Sequence, residues 1–216
     1  MRRRKTITTE SKVFTDRLRE LFKNLLNPVA VFLVKKGFSP DLISLFGLVG
    51  HAGAAYLIAT GRFTWAGILI LVFAPLDALD GTMARFLNRP GKFGAFFDSV
   101  VDRYSELLLF GGMVVYYGLS RDFTGTILAY LSLMGSVMVS YSRARAEALG
   151  FTAKIGLLSR VERYIILIPA LIFRLLPVGL WILAFLTNFT ALQRVIAVKR
   201  QASILATSGP ISPEKT

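Results

Sequence analysis

The sequence has no cysteine and a single histidine, His51. The first absence excludes disulfides and thiolate-held metal, and together they leave oxygen ligands as the main donors for any metal. Acidic residues are also scarce, 13 against 26 lysines and arginines, for a formal charge of +13. Nucleic acid is one partner for such a charge. However, 54% of the 216 residues are hydrophobic and the mean hydropathy is +0.56, too apolar for a soluble domain. A basic face against anionic lipid accounts for both properties, so a lipid bilayer is expected as partner and nucleic acid is not. Arg2 to Lys5 lead into mixed polar sequence without an apolar core or small-residue cleavage site, so no secretory signal is expected.

Between Val13 and Leu26, Phe14, Leu18, Leu21, Phe22 and Leu25 recur at helical spacing, with Arg17, Arg19, Glu20 and Lys23 on the other face. This pattern predicts an amphipathic helix lying in the membrane interface. Pro28 should bend it, and Lys35, Lys36 and Gly37 should end it before Ser39 and Pro40 open a new segment. Six apolar segments follow, at about 41–60, 64–87, 94–118, 123–148, 155–174 and 177–198, each near the roughly 20 residues a bilayer requires. The expected fold is therefore an all-α integral membrane protein: an N-terminal region (1–40) with its interfacial helix, a six-helix transmembrane catalytic domain (41–200) and a disordered tail (201–216). Short breaks at Gly61 to Phe63, Ser120 to Asp122 and Leu175 to Pro177 make neighbouring segments antiparallel. Only Arg62, Arg121 and Arg174 among the basic residues lie at those breaks. That asymmetry predicts a multi-pass protein of the cell membrane with both termini in the cytoplasm.

The second apolar segment carries no charge from Thr64 to Leu76 and then reads Asp77, Ala78, Leu79, Asp80, Gly81, Thr82, Met83, Ala84, Arg85. Asp77 and Asp80 are three residues apart, Asp98 and Asp102 four, so each pair shares a helix face. On adjacent antiparallel helices the two pairs can converge, and four carboxylates that close need compensating positive charge. An oxygen-only ligand set favours Mg²⁺ or Mn²⁺, and a pair of ions would suit phosphoryl chemistry. Gly81 and Ala84 leave room beside the aspartates for a ligand to approach the backbone, or else let helices pack closely. Arg85 at the interface can bind phosphate oxygens or serve as an ordinary interfacial cation.

The string Asp77-x2-Asp80-Gly81-x2-Ala84-Arg85-x8-Gly94-x3-Asp98-x3-Asp102 resembles the signature of the CDP-alcohol phosphotransferases at all eight fixed positions. Members of that family move a phosphoalcohol group from a CDP-linked donor to an acceptor hydroxyl and release CMP. The resemblance implies that Asp77, Asp80 and Asp98 bind metal, that Gly81, Ala84 and Arg85 bind the CDP part, and that Asp102 is the general base and can double as a ligand. A shorter match, Ser39-Pro40-Asp41-x2-Ser44, resembles a cytidine-contacting segment and implies that Asp41 and Ser44 join the CDP site.

Ser140-Tyr141-Ser142-Arg143-Ala144-Arg145-Ala146-Glu147, Glu162-Arg163 and the pair Asp102-Arg103 resemble the branch making phosphatidylinositol phosphate or its archaeal ether-lipid equivalent. By that resemblance Ser140, Arg143, Arg163 and Arg194 hold the phosphate of inositol phosphate. Arg143 stands where some members carry lysine, which keeps the charge but changes its geometry. The donor would be CDP-diacylglycerol or CDP-archaeol, and relatives imply a homodimer. Glycerol 3-phosphate, serine and free inositol remain alternative acceptors, and a small cation transporter is the alternative of a different class, because intramembrane carboxylates also mark ion pathways. His51 reads as a neutral, hydrogen-bonded packing residue, and Glu106 as a group that tunes Asp102 or pairs with Arg103 or another base. Replacing Asp102 by Asn is expected to abolish turnover while largely sparing donor binding; turnover near the wild-type rate would remove Asp102 from the role of base.

Overall fold

A computed structural model describes residues 27–87 and 91–207. The expected interfacial helix between Val13 and Leu26 lies outside them. The described residues form helices joined by short turns, without a strand. Residues 27–35 are helical and are termed α1. There follow α2 (Pro40–Ala59), α3 (Phe63–Phe73), α4 (Leu76–Phe86), α5 (Lys92–Leu119), α6 (Phe123–Ala148), α7 (Arg160–Ile172) and α8 (Leu176–Thr207).

Local chemistry sets most of these boundaries. Gly37 takes the left-handed conformation (φ 84°), and Phe38 N–H reaches back to the Leu33 carbonyl at 3.1 Å, closing α1 with a glycine cap. Ser39 caps α2 by accepting from Leu42 N–H at 3.2 Å, and Pro40 takes the first helical position, where no amide donor is needed. The same left-handed stop recurs at Gly61, Arg121 and Arg174, whose following residues Arg62, Asp122 and Leu175 each bond five residues back at 2.8–2.9 Å. These are the three breaks expected from the sequence, and each folds one helix back on the next.

Three segments differ from expectation. The apolar stretch 64–87 is broken into α3 and α4 around Ala74 and Pro75, because proline has no amide to continue the ladder. The stretch expected from residue 155 becomes helical only at Arg160. Gly150 and Gly156 adopt positive φ in the preceding loop, and two residues of α8 clasp it: Leu158 N–H donates to Thr190 Oγ1 at 3.2 Å, and Arg194 Nε donates to the Ile155 carbonyl at 2.9 Å. α8 itself runs past the expected end at residue 198 and into the tail expected to be disordered, reaching Thr207. Gln201 anchors that extension through hydrogen bonds to the Thr152 amide at 2.9 Å and carbonyl at 2.7 Å.

α6 packs along α8, α2 along α5, and α7 against α3 and α8. The core between them contains Ile58, Ile70, Leu109, Met113, Leu171, Leu180 and Leu183, while a smaller cluster of Ala30, Ile43, Leu79 and Met83 joins α1, α2 and α4. Small residues let the backbones approach, as membrane helices require in the absence of a strong hydrophobic drive between them. A Cβ added at Gly112 of α5 would lie 2.5 Å from the Ala55 carbonyl oxygen of α2. Outside, Phe32, Val49, Tyr56, Trp65, Val72, Trp181 and Phe185 are all exposed, a surface that suits lipid rather than water. Four helical stretches are long and apolar enough to cross a membrane: Pro40–Ala59, Phe63–Phe86, Phe123–Ala148 and Leu176–Ala206. α5, at 28 residues, carries Asp98, Asp102, Arg103 and Glu106 in its first half, and α7 has only 13 residues.

Gly112→Ala is expected to destabilise the protein by about 1–3 kcal/mol, since neither backbone can yield cheaply. Gly111→Ala, whose Cβ would meet nothing within 4 Å, should be neutral or slightly stabilising. Thermal unfolding of the two variants in detergent makes the comparison; equal midpoints would show that the helices separate easily there.

Candidate functional site

One end of the bundle gathers the start of α2, the whole of α4, the first half of α5, the end of α6, the start of α7 and the last third of α8. The break at Pro75 starts α4 as a separate helix, which places Asp77 in its first turn and Asp80 one turn later. Asp98 and Asp102 face them from α5. Asp77, Asp98 and Asp102 can each present one carboxylate oxygen within 4.8 Å of the others. Asp80 does something different. It is 4% exposed, and its Oδ2 accepts a 2.5 Å hydrogen bond from Ser44 Oγ of α2.

Three half-buried carboxylates this close repel one another unless a cation stands among them. Among the described residues that cation is Arg160, at the N-terminus of α7: its Nη1 forms ion pairs with both Asp77 and Asp102. Arg103 approaches Asp102 from α5 itself, at 3.4 Å. One turn deeper a second pair repeats the arrangement, with Arg163 of α7 bonded to Glu106 of α5, both under 5% exposed. Ser136 of α6 also donates to Glu106, at 3.1 Å, and Arg103 Nε lies 3.8 Å from it. The spacing explains the match: residues 160 and 163 are one turn apart, as are 102 and 106, so α7 is fastened to α5 at two levels.

Beneath Arg160 lies the ring of Tyr164, 5.6 Å from the guanidinium carbon. His51 Nδ1 sits 2.7 Å from the Gly47 carbonyl, an acceptor, so Nδ1 carries the proton; Nε2 then accepts from the Tyr164 hydroxyl at 3.0 Å. His51 is therefore the buried, satisfied packing residue expected from the sequence, with an unforeseen link through Tyr164 to the acidic cluster.

The other expected site residues divide into open and engaged groups. Gly81 is exposed, and a Cβ there would meet nothing within 4 Å, leaving a free face beside the aspartates. Ala84 is half-buried behind it, and exposed Arg85 donates to Thr82 Oγ1 at 2.9 Å. A Cβ on Gly94 would lie 3.8 Å from Asp41 Oδ1, so the start of α5 borders the start of α2. Ser140 is half-buried near the end of α6, and Arg143 is exposed in a 3.0 Å pair with Glu147. Arg194 is 5% exposed and donates to the carbonyls of Val139 and Ile155. Arg163 and Arg194 thus lie at the same end of the bundle as the aspartates and hold protein partners there. Sequence reading does not assign Arg160 to the aspartates. The one local signal is that Arg160 and Arg163 lie one helical turn apart, three residues, as Asp102 and Glu106 do with four.

The donor set fits a hard divalent ion. All candidate ligands are carboxylate oxygens, and they lie within 4.8 Å of one another, near enough to converge on one ion. Asp77, Asp98 and Asp102 could hold such an ion.

Residues 38–200 match the family model for CDP-alcohol phosphatidyltransferase. The phosphatidylinositol phosphate synthase of Streptomyces avermitilis is 37% identical over 202 residues, covering 86% of this chain and 82% of that protein. The archaetidylinositol phosphate synthase of Pyrococcus horikoshii is 38% identical over 189 residues, covering 86% of this chain and 97% of that protein. The crystal structure of Mycobacterium tuberculosis phosphatidylinositol phosphate synthase with CDP-DAG bound aligns with a TM-score of 0.76 at 30% identity, over 81% of this chain and 94% of that one. The same enzyme in complex with manganese and citrate also aligns with a TM-score of 0.76, at 31% identity, over 81% of this chain and 88% of that one. A signature complete at eight positions, three of its four carboxylates brought together, and matches along most of the chain lead to one conclusion: this multi-pass membrane protein is a transferase that belongs to the CDP-alcohol phosphatidyltransferase family.

Proposed function

We propose that this enzyme transfers a phosphatidyl or archaetidyl group from a CDP-linked lipid to a hydroxyl of inositol phosphate, releasing CMP. The observation that carries the chemistry is the convergence of Asp77, Asp98 and Asp102 within 4.8 Å beside the open face at Gly81. The names of the relatives, phosphatidylinositol phosphate and archaetidylinositol phosphate synthases, support the acceptor.

In this reading α2, the α3–α4 pair, α5, α6, α7 and α8 make six crossings, the N-terminal segment lies in the interface, both termini are cytoplasmic, and two copies form a homodimer. The donor enters from the lipid with its CDP part over Gly81, Ala84 and Arg85, bordered by Asp41 and Ser44. Asp77, Asp80 and Asp98, with Asp102 as a shared ligand, would hold Mg²⁺ or Mn²⁺, which when bound neutralises charge on the diphosphate and on the departing CMP. Asp80 reaches that role only if its carboxylate serves Ser44 and metal together. Asp102 takes the proton of the acceptor hydroxyl. The freed oxygen bonds to the lipid-side phosphorus, the phosphoanhydride bond breaks, and CMP leaves with the electron pair. Ser140, Arg143, Arg163 and Arg194 bind the acceptor's phosphate, Arg163 and Arg194 by exchanging or sharing their present partners. This rim favours a doubly charged acceptor over serine or free inositol.

Two measurements test the reading. In Mn²⁺ titrations followed by electron paramagnetic resonance, Asp77→Asn and Asp98→Asn should each weaken binding at least about tenfold, whereas Glu106→Gln should leave it near wild type because Glu106 is held by Arg163 and Ser136. CMP release from CDP-diacylglycerol should be fastest with inositol 1-phosphate and at least about tenfold slower with glycerol 3-phosphate, serine or inositol. Preference for glycerol 3-phosphate would reassign the acceptor, and Asp77-dependent cation flux without CMP release would replace the enzyme reading by a transporter.

A further inference from the structure

Arg160 presents more hydrogen-bonding capacity than its ion pairs use. Nη1 serves both Asp77 and Asp102, while Nε and Nη2 are buried and have no hydrogen-bond partner. A buried N–H without an acceptor costs stability, so two on one side chain in a site of this kind point to an acceptor that arrives with the ligand. Nε–H and the Nη2–H beside it lie along one edge of the planar guanidinium and donate in parallel. That fork matches two oxygens of a phosphate group, and an ammonium group has no equivalent.

The guanidinium is also held from behind. Tyr164 lies under it at 5.6 Å, the Tyr164 hydroxyl donates to His51 Nε2, and His51 Nδ1–H donates to the Gly47 carbonyl. Two helices, α2 and α7, therefore fix the orientation of one side chain. Charge balance for Asp77 and Asp102 alone would need no such fixing, since any cation between them would serve.

We propose that Arg160 is a catalytic residue: while Nη1 stays between Asp77 and Asp102, its Nε–Nη2 edge grips two phosphate oxygens of the reacting complex. This rests on the phosphatidyl-transfer reading. The gripped phosphate belongs either to the CDP-linked donor or to the phosphorylated acceptor, and both offer the same pair of anionic oxygens next to the aspartates.

The test compares full-length wild type with Arg160→Lys, which keeps a cation between the two aspartates and deletes the fork. The readouts are thermal unfolding, Mn²⁺ affinity, CDP-diacylglycerol binding, and CMP release with inositol 1-phosphate and with free inositol. Unfolding midpoint and Mn²⁺ affinity should stay near wild type, while kcat/KM for CMP release should fall on the order of 10²-fold. If the fork holds the donor, CDP-diacylglycerol binding weakens and the defect is the same with both acceptors. If it holds the acceptor's phosphate, KM for inositol 1-phosphate rises and the defect disappears with free inositol. CMP release by the lysine variant within about threefold of wild type with both acceptors would overturn the proposal. So would a loss of turnover that only parallels loss of Mn²⁺ binding, because Arg160 would then act through charge alone. Should the lysine variant not fold, Arg160→Ala supplemented with methylguanidinium or methylammonium decides: rescue by the first only supports the fork, and equal rescue or none overturns it. Absence of CMP release by the wild type would instead sink the transfer reading itself.

Discussion

Mutual repulsion among carboxylates at one end of a membrane protein's helical bundle is the constraint on which this structure turns. Asp77, Asp98 and Asp102 present oxygens within 4.8 Å of one another, in a bundle whose outer surface is lined with aromatic and aliphatic side chains. Low polarity around such a cluster makes uncompensated charge costly. Arg160 supplies compensation, and because it comes from α7 the last helical hairpin must dock against α4 and α5 for the cluster to persist. Several oddities of the fold then make sense together. Pro75 frees α4 from α3 and sets the depth of Asp77; α7 is short because its first residue has to stop at the aspartates; the loop before it is clasped by Thr190 and Arg194.

The second level, Glu106 with Arg163 and Ser136, strengthens that docking and changes the meaning of the basic residues. Positive charge on the cytoplasmic side of a membrane protein usually faces lipid headgroups. Here the basic residues fall into different groups. Arg85 and Arg143 stay exposed, whereas Arg163 and Arg194 are built into the bundle and hold loop and helix together. Those guanidinium groups therefore tie the loop and the helices of this end of the bundle together.

Patterns confined to one helix are legible in the residues themselves. Ser39 and Pro40 announce the start of α2, the pairs Asp77/Asp80 and Asp98/Asp102 announce shared faces, and Gly61 marks a reversal, because capping, helical periodicity and turn chemistry act over a few residues. Pro75 is a break by its chemistry, yet it hides inside an apolar stretch long enough for one span. Gln201 carries no local sign that it pins the loop at Thr152, 49 residues away, so the extension of α8 past residue 198 is invisible in the tail's polar composition.

Composition and motif by themselves determined that the chain belongs in a membrane, that oxygens are the main donors open to any metal, and which family's signature it carries. Each follows from residue identity and near-neighbour spacing alone. Tertiary structure decided how those residues are divided: Asp80 turns to Ser44 while three other aspartates cluster, and Arg160, 58 residues from Asp102, bridges Asp77 and Asp102. Helix docking chooses among equivalent basic side chains by depth and rotation in the bundle, quantities set by packing at Gly112, Ala55 and the α7 contacts rather than by any local run of sequence.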